Sequence, residues 1–238
     1  KMTSLYQHGT LAMLMGKQLQ GTITAAELLK HGDTGMGTLT GLNGEVIILE
    51  GQVYQAQSDG RVNHITDLDT LLPFASIHFY KPTQTLPFDQ VDFETLSDKL
   101  KSAQLQNIFS SIKFHADFSR MHIRIAPQQV PPFPSLLEVA TNQPEFEVAD
   151  ISGTLMGYYA PEIFNGPTAA GWHLHFLSDD KSFSGHVLDF SAINVTGTLQ
   201  VFDEFVQHFP IENAGFRGMS LDLDGLHAGI EASEGGKK

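Results

Sequence analysis

Three of the eleven histidines, His173, His175 and His186, lie within fourteen residues of one another. Residues around the first two alternate as in a β-strand, so that both imidazoles project from one face. A polar turn follows, and an apolar run resumes at the third histidine. If this hairpin folds symmetrically about Asp180 and Lys181, His175 lies opposite His186, and His173 lies one diagonal step away. The spacing therefore predicts three converging imidazoles.

Three neutral imidazoles are a suitable ligand set for a divalent transition metal, and they leave coordination positions open for water or substrate. The chain contains no cysteine, so metal chemistry must use histidine and carboxylate ligands. The competing interpretation is a hairpin that carries surface histidines. A one-residue bulge between Ser178 and Gly185 would turn His186 to the opposite face. We predict a catalytic metal site that depends on the register of this hairpin.

Two further residues have the chemistry that such a site needs. Glu45 begins an apolar strand after Asn43 and Gly44, where a carboxyl group facing a dry space would have a raised pKa. Arg124 alternates with apolar neighbours, and its planar guanidinium is suited to binding a substrate carboxylate. Both are candidate site residues, and the alternative for both is a solvated surface position.

Composition limits the classes of partner. The chain has 238 residues, 41% hydrophobic content and a formal charge of -13, from 14 basic and 27 acidic residues. This describes a globular protein and argues against a nucleic-acid partner, which would need a basic face. No apolar run approaches the roughly 18 residues of a membrane span. We expect no membrane partner and a cytoplasmic location, and a secreted form after removal of a signal peptide stays open because Lys1 precedes Met2.

The pattern along the chain predicts an α+β protein with two lobes, largely antiparallel or mixed sheets and a few helices. A segment with three prolines, Gln128–Pro134, is the expected linker between an N-terminal lobe (1–127) and a β-rich C-terminal lobe (135–238) that carries the histidines. Helices are expected at Ala25–Lys30, capped by Thr24, within 88–106 and at 136–141. Strands are expected at three places within 35–56, at 74–80, as a possible pair within 114–125, and at 146–158, 172–177, 185–190 and 194–202, before a helical or irregular tail from Val206. The glycine-rich Gly35–Thr38 lacks the spacing of a phosphate loop, and we expect it to form a turn.

The histidine block, Gly171–Asp180 with Gly185–Phe190, resembles the acetolactate decarboxylases. The likeness continues in family order over most of the chain. It takes in Gly35-Met-Gly-Thr38, Gly44-Glu45, Arg124 with Ala126-Pro127-Gln128, Gln143–Phe146 and Gly153–Gly157. The histidine block is its most specific part.

This resemblance implies a homodimer of two-lobed subunits that holds zinc, or another divalent transition metal, on His173, His175 and His186. It implies conversion of 2-acetolactate, a 2-hydroxy-3-oxo acid, to (R)-acetoin and carbon dioxide. By motif, it implies that the family's active-site residues are Thr38, Glu45, Arg124 and, from the C-terminal tail, Glu234. Glu231, about one helical turn earlier, is the alternative for the last of these.

The implied chemistry gives each residue a role. Arg124 would orient the substrate carboxylate, and Glu45 or Glu234 would deliver a proton to one face of the intermediate. Two other functions remain open from the sequence. One is a cupin-type metal oxygenase, although a cupin usually has a glutamate soon after the histidine pair, where this chain has Asp179 and Asp180. The other is a non-catalytic module stabilised by zinc, whose site a fourth protein ligand would close.

Overall fold

A computed structural model of the chain describes residues 3–86 and 89–234. The strands are β1 Ser4–His8, β2 Ile23–Thr24, β3 Thr34–Thr38, β4 Glu45–Leu49, β5 Gln52–Ala56, β6 Val62–Ile65, β7 Leu71–Leu72, β8 Phe74–His78, β9 Gln84–Thr85, β10 Gln90–Asp92, β11 Ser110–Arg124, β12 Glu145–Val148, β13 Ile151–Ala160, β14 Gly171–Ser178, β15 Ser184–Val201 and β16 Glu204–His208. The helices are α1 Leu11–Met15, α2 Ala25–Leu28, α3 Phe93–Ser102, α4 Leu136–Ala140, α5 Ala214–Gly218 and α6 Leu223–Glu234.

Most of these strands form two sheets. The first sheet has the order β16-β1-β8-β3-β4-β5-β6, with β1 and β16 parallel and the other pairs antiparallel. The second sheet has the order β10-β15-β14-β13-β11-β12, and β11 also pairs with β15. These pairings close β11, β13, β14 and β15 into a ring around a core that includes Phe114, Phe118, Phe176 and Phe190. The predicted α+β class with mixed sheets is confirmed.

The proline-rich segment does not lie between the two sheets. β11 precedes it, and β12–β15 follow it, yet all of these strands belong to the second sheet. The chain passes from the first sheet to the second after β8, and it returns to the first sheet at β16. The predicted lobe boundary at 128–134 coincides with neither crossing.

Two pairs of predicted strands are single long strands. The predicted pair within 114–125 is part of β11, in which buried and exposed side chains alternate without a turn. The runs 185–190 and 194–202 both belong to β15, where Asn194 has φ 55°. The register between β11 and β15 shifts at three places, and such bulges interrupt the alternation from which strand ends are predicted.

The other predicted elements agree with the structure in most places. The helices at 25–30, 136–141 and within 88–106 correspond to α2, α4 and α3, although Phe88 lies outside the described residues. The tail contains β16 before its helices. Gly35–Thr38 is not a turn but lies in β3, where a Cβ on Gly35 or Gly37 would lie 2.4 Å from a carbonyl oxygen of β8. Glycine therefore lets these two strands pair closely.

A buried polar contact joins the sheets near the site. His78 of β8 donates from Nδ1 to the hydroxyl oxygen of Tyr158 on β13 over 2.8 Å, and this hydroxyl donates to the carbonyl oxygen of Thr34 over 3.2 Å. Burial lowers the pKa of His78 to about 3, so the ring is a neutral imidazole near neutral pH. No helix in residues 3–86 and 89–234 is long and apolar enough to cross a membrane.

Candidate metal centre and active site

The hairpin of β14 and β15 has the predicted register. His175 lies opposite His186, and the next two pairs toward the turn follow without a slip. In the turn, Lys181 has φ 60°, and the Ser178 hydroxyl accepts hydrogen bonds from the amides of Ser182 and Phe183 at 3.1 and 2.9 Å. The bulge that would have turned His186 away is therefore absent from this hairpin.

The three imidazoles converge. One nitrogen of each of His173, His175 and His186 lies within 4.8 Å of the other two. The group is enclosed, since the side chains of His175 and His186 are 2% and 4% exposed and that of His173 is 13% exposed. This spacing suits one ion bound by three ligands.

Backbone carbonyls select the ring nitrogen that faces the centre. His175 donates from Nδ1 to the carbonyl oxygen of Val46 in the first sheet over 2.7 Å, and its buried Nε2 has no hydrogen-bond partner. His186 donates from Nε2 to the carbonyl oxygen of Glu234 over 2.9 Å, which leaves Nδ1 facing the other rings. Metal-bound histidines usually have such a partner on the second nitrogen, which fixes the tautomer. The three histidines therefore fit a divalent metal, because His175 Nε2 is buried without a hydrogen-bond partner and hydrogen bonds fix the rings of His175 and His186.

The protonation state also fits. Burial lowers the pKa of His173 and of His175 to about 3, and it lowers the pKa of His186 well below its usual range. The positive charge of Arg124 acts in the same direction on all three. Neutral imidazole is the form that binds a metal, so the protein environment prepares the ligands.

Glu45 stands beside the imidazoles because of the turn between β3 and β4. The Thr38 hydroxyl donates to the carbonyl oxygen of Gly44 over 2.8 Å, and Gly44 has φ 78°. The amide of Ala126 donates to Glu45 Oε1 over 3.1 Å, and Oε2 lies 3.5 Å from His175 Nε2. Burial raises the pKa of Glu45 to about 7, although Arg124 opposes this rise. Thr38 is thus placed to hold Glu45 in position.

Arg124 ends β11 and pairs in register with His186. Its residue is 8% exposed, and its buried Nε has no hydrogen-bond partner. Its Nη2 lies 3.7 Å from Glu234 Oε2. At Arg124, this face of β11 therefore lines a buried site and not the solvent-exposed surface. The guanidinium can bind a ligand there through Nε.

Glu234, the last residue of α6, reaches the same place. Leu226 and Ile230 of this helix are buried in a cluster with residues of α1 and α4. Glu234 Oε2 lies 3.4 Å from His173 Nε2 and 3.8 Å from His186 Nδ1, and burial raises the pKa of this carboxyl group. Glu231 lines a neighbouring cavity instead. The geometry favours Glu234 as the tail carboxylate of this centre.

One cavity joins these groups. Its polar lining is Thr38, Glu45, Arg124, Gln143, His173, His175, His186 and Glu234, and its apolar lining includes Leu11, Leu14, Leu42, Phe74, Ala126 and Leu136. All seven residues assigned to the site by motif or spacing are therefore brought together. Gln143 belongs to the family likeness, but the sequence predicts no role for it, because a neutral amide in a loop belongs to no recognisable pattern.

The fold and the site define an α+β protein with a three-histidine centre between two sheets, flanked by two carboxyl groups and an arginine. The model of the alpha-acetolactate decarboxylase family matches residues 5–223. The alpha-acetolactate decarboxylase of Lactococcus lactis subsp. lactis (strain IL1403) is 39% identical over 237 residues, which cover 98% of this chain and 99% of that protein. The enzyme of the same name from Streptococcus thermophilus is 38% identical over 235 residues, covering 97% and 98%.

Solved structures agree over the same length. A Staphylococcus aureus protein of unknown function, described as similar to alpha-acetolactate decarboxylase, superposes with a TM-score of 0.92 and 39% identity, covering 97% of this chain and 99% of that chain. The alpha-acetolactate decarboxylase of Bacillus subtilis strain 168 superposes with a TM-score of 0.93 and 29% identity, covering 98% and 99%. This chain belongs to the alpha-acetolactate decarboxylase family.

Proposed function

We propose that this protein converts 2-acetolactate to (R)-acetoin and carbon dioxide, using a divalent metal, zinc in our proposal, held by His173, His175 and His186. The observation that carries the proposal is one buried cavity in which three neutral imidazoles, an arginine and two carboxyl groups converge, in a chain that matches the family over residues 5–223. Carbonyl contacts fix two of the rings, so the ligand set is preorganised.

The reaction requires a place for one electron pair and one proton. Cleavage of the bond between the carboxylate and C2 releases carbon dioxide and leaves the electron pair on C2, conjugated with the neighbouring ketone. The metal, when bound, supplies a Lewis acid that stabilises the negative charge on the ketone oxygen. A proton then adds to C2, so each turnover consumes one proton and releases one carbon dioxide.

In this proposal Arg124 binds the substrate carboxylate. The side chain of Arg124 is almost fully buried, and its Nε has no hydrogen-bond partner in the protein. A carboxylate would pair with this group through charge-assisted hydrogen bonds and fix the direction of the bond to be broken. The apolar walls from Leu11, Leu42 and Phe74 limit access of water to the reacting carbon.

In this proposal Glu45 or Glu234 delivers the proton. The amide of Ala126 occupies Glu45 Oε1, so Oε2, which faces His175, is the oxygen available to carry a proton. Glu234 presents its buried Oε2, which has no hydrogen-bond partner, on the side of His173 and His186. Protonation from one side of the planar intermediate fixes the configuration of acetoin. We assign delivery to Glu45 and treat Glu234 as the alternative.

We also propose that the protein is a homodimer, that its substrate is a small 2-hydroxy-3-oxo acid, and that it acts in the cytoplasm. The catalytic proposal is tested by incubating the zinc-loaded protein with racemic acetolactate and measuring carbon dioxide and the chirality of acetoin. Equal amounts of carbon dioxide and acetoin, with the R form predominant, are expected. A rate no higher than the spontaneous rate would reject the proposal.

A further inference from the structure

Unpaired buried polar atoms gather in the cavity. In residues 3–86 and 89–234, the buried side-chain nitrogen and oxygen atoms without a hydrogen-bond partner are Arg124 Nε, Gln143 Oε1, Trp172 Nε1, His175 Nε2 and Glu234 Oε2. All of these residues except Trp172 line the cavity of the metal centre. Buried polar groups are normally paired, so this concentration indicates that a ligand supplies the missing partners. Gln143 is the one member of the cavity group that the proposed mechanism does not use.

The backbone that follows Gln143 is fixed beside the site. Glu145 pairs in register with Arg124, and the amide of Ile125 donates to the carbonyl oxygen of Pro144 over 3.1 Å. The next amide along the chain, that of Ala126, donates to Glu45 Oε1. Gln143 is therefore positioned by main-chain pairing next to the residues that bind and protonate the substrate. Its Oε1 needs a hydrogen-bond donor that the protein does not supply.

We propose that Gln143 is a specificity-determining residue that recognises the hydroxyl group on C2 of the substrate, a step that rests on the proposed function. The acetolactate anion has one hydrogen-bond donor, its tertiary hydroxyl, because its carboxylate and ketone oxygens only accept. An unpaired acceptor in the cavity is matched by this hydroxyl. A site that hydrogen-bonds a substrate hydroxyl discriminates strongly against an analogue that lacks it, because the acceptor is then left buried and unpaired. Gln143 thus selects 2-hydroxy acids over acids without the hydroxyl.

The test compares Gln143→Met, which keeps the length of the side chain and removes the amide, with the natural protein. Both are loaded with zinc, and binding of 2-hydroxy-2-methylbutanoate and of 2-methylbutanoate is measured by calorimetry. These acids differ by the hydroxyl group and have no ketone, so neither can be decarboxylated. We expect the variant to reduce the preference for the hydroxylated acid about tenfold, the effect of one buried hydrogen bond. An unchanged preference would overturn the assignment.

A buried glutamine outside the cavity provides the control. Gln200 donates to the carbonyl oxygen of Phe79 over 3.2 Å and accepts from the amide of Lys81 over 2.7 Å. Gln200→Met should lower the melting temperature and leave the hydroxyl preference unchanged. Gln143→Met breaks no hydrogen bond seen at Oε1, so its melting temperature should be kept or raised. If Gln143→Met has a lower melting temperature and binds both acids more weakly by the same factor, Gln143 has a structural role and the proposal is overturned.

The two proposals fail in different ways. If the natural protein shows a hydroxyl preference that depends on Gln143 but does not decarboxylate acetolactate, the proposed reaction is wrong and the recognition of 2-hydroxy acids stands. If it decarboxylates acetolactate and Gln143→Met leaves the preference unchanged, the role of Gln143 is wrong and the reaction stands.

Discussion

His175 of the second sheet donates a hydrogen bond of 2.7 Å to the carbonyl oxygen of Val46 in the first sheet. The residue before Val46 is Glu45, whose Oε2 lies 3.5 Å from the other nitrogen of the same ring. One backbone contact between the sheets thus orients a proposed metal ligand and sets its distance from the proposed acid. The centre depends on how the two sheets pack, and either sheet alone would hold an incomplete set of groups.

The three imidazoles are expected to be necessary for metal binding. His173→Ala should lose bound zinc and lower turnover by more than about 100-fold, because removal of a ligand exceeds the effect of removing its supporting hydrogen bond. Metal content and steady-state rates check this. His115→Ala is the matched control, since His115 lies on the exposed surface beside Asp179 at 2.9 Å and should be dispensable. Full zinc occupancy in His173→Ala would contradict the ligand assignment.

Removal of the metal should abolish turnover and leave the fold intact. The cores of the sheets are apolar clusters that do not include the three histidines, so they should persist in a chelator. Circular dichroism and thermal unfolding before and after chelation test this. Zinc at about 100 times its dissociation constant should stabilise the folded state by about 2.7 kcal/mol. Unfolding on chelation would instead support a structural zinc module.

Arg124→Ala should lose turnover while it retains zinc. A hydrogen bond to a charged group contributes about 1.5–3 kcal/mol, which corresponds to a decrease of roughly 10- to 150-fold in kcat/KM. Arg124→Lys should recover part of the loss, because it restores the charge without the planar pair of donors. Arg120→Ala is the control, since Arg120 pairs with Glu147 and Asp189 at the surface. Unchanged kinetics in Arg124→Ala would remove this residue from the mechanism.

Glu45→Gln tests delivery of the proton. The amide can still accept from Ala126, but it cannot act as an acid, so we expect kcat to fall by about 10²–10⁴-fold. The enantiomeric purity of acetoin should also fall, because the remaining protonation is not confined to one side. Glu234→Gln is measured in the same way. If Glu45→Gln retains both rate and stereochemistry and Glu234→Gln loses them, the proton donor is Glu234.

The local part of the site could be predicted from the sequence. His175 and His186 are close in the chain, and a symmetrical polar turn gives their register directly. The contact between His175 and Val46 could not be predicted, because it joins residues 129 positions apart. The position of Glu234 depends on the packing of α6 through Leu226 and Ile230, and the sequence of the tail shows no sign of the helices against which it packs.

The long strands show a related limit. The alternation of apolar and polar residues gives the faces of β11 and β15 correctly in short stretches, but it predicts two separate strands in place of each. The bulges between them change the register without a turn residue that would mark the change, except at Asn194. Arg124 at the end of β11 pairs with His186 near the start of β15. The site therefore depends on the lengths of these strands, which local sequence patterns do not reveal.

His78 should make the stability of the fold depend on pH. Burial and, to a smaller extent, the charge of Lys113 lower the pKa of His78 to about 3 against the opposing effect of Asp33, whereas an unfolded histidine has a pKa of about 6.5. Between these values the unfolded chain binds a proton that the folded protein does not. The contribution of neutral His78 to the free energy of unfolding is therefore complete above pH of about 6.5. It is lost as pH falls toward 3, by up to about 1.4 kcal/mol per pH unit.

The variant His78→Gln tests this prediction, because it removes the titrating imidazole and leaves the other titrating groups common to both proteins. The difference in free energy of unfolding between the natural protein and the variant, measured in urea, should shrink by about 2 kcal/mol from pH 6.5 to 4.5. A difference that stays constant over this range would show that His78 binds its proton equally well in the folded protein.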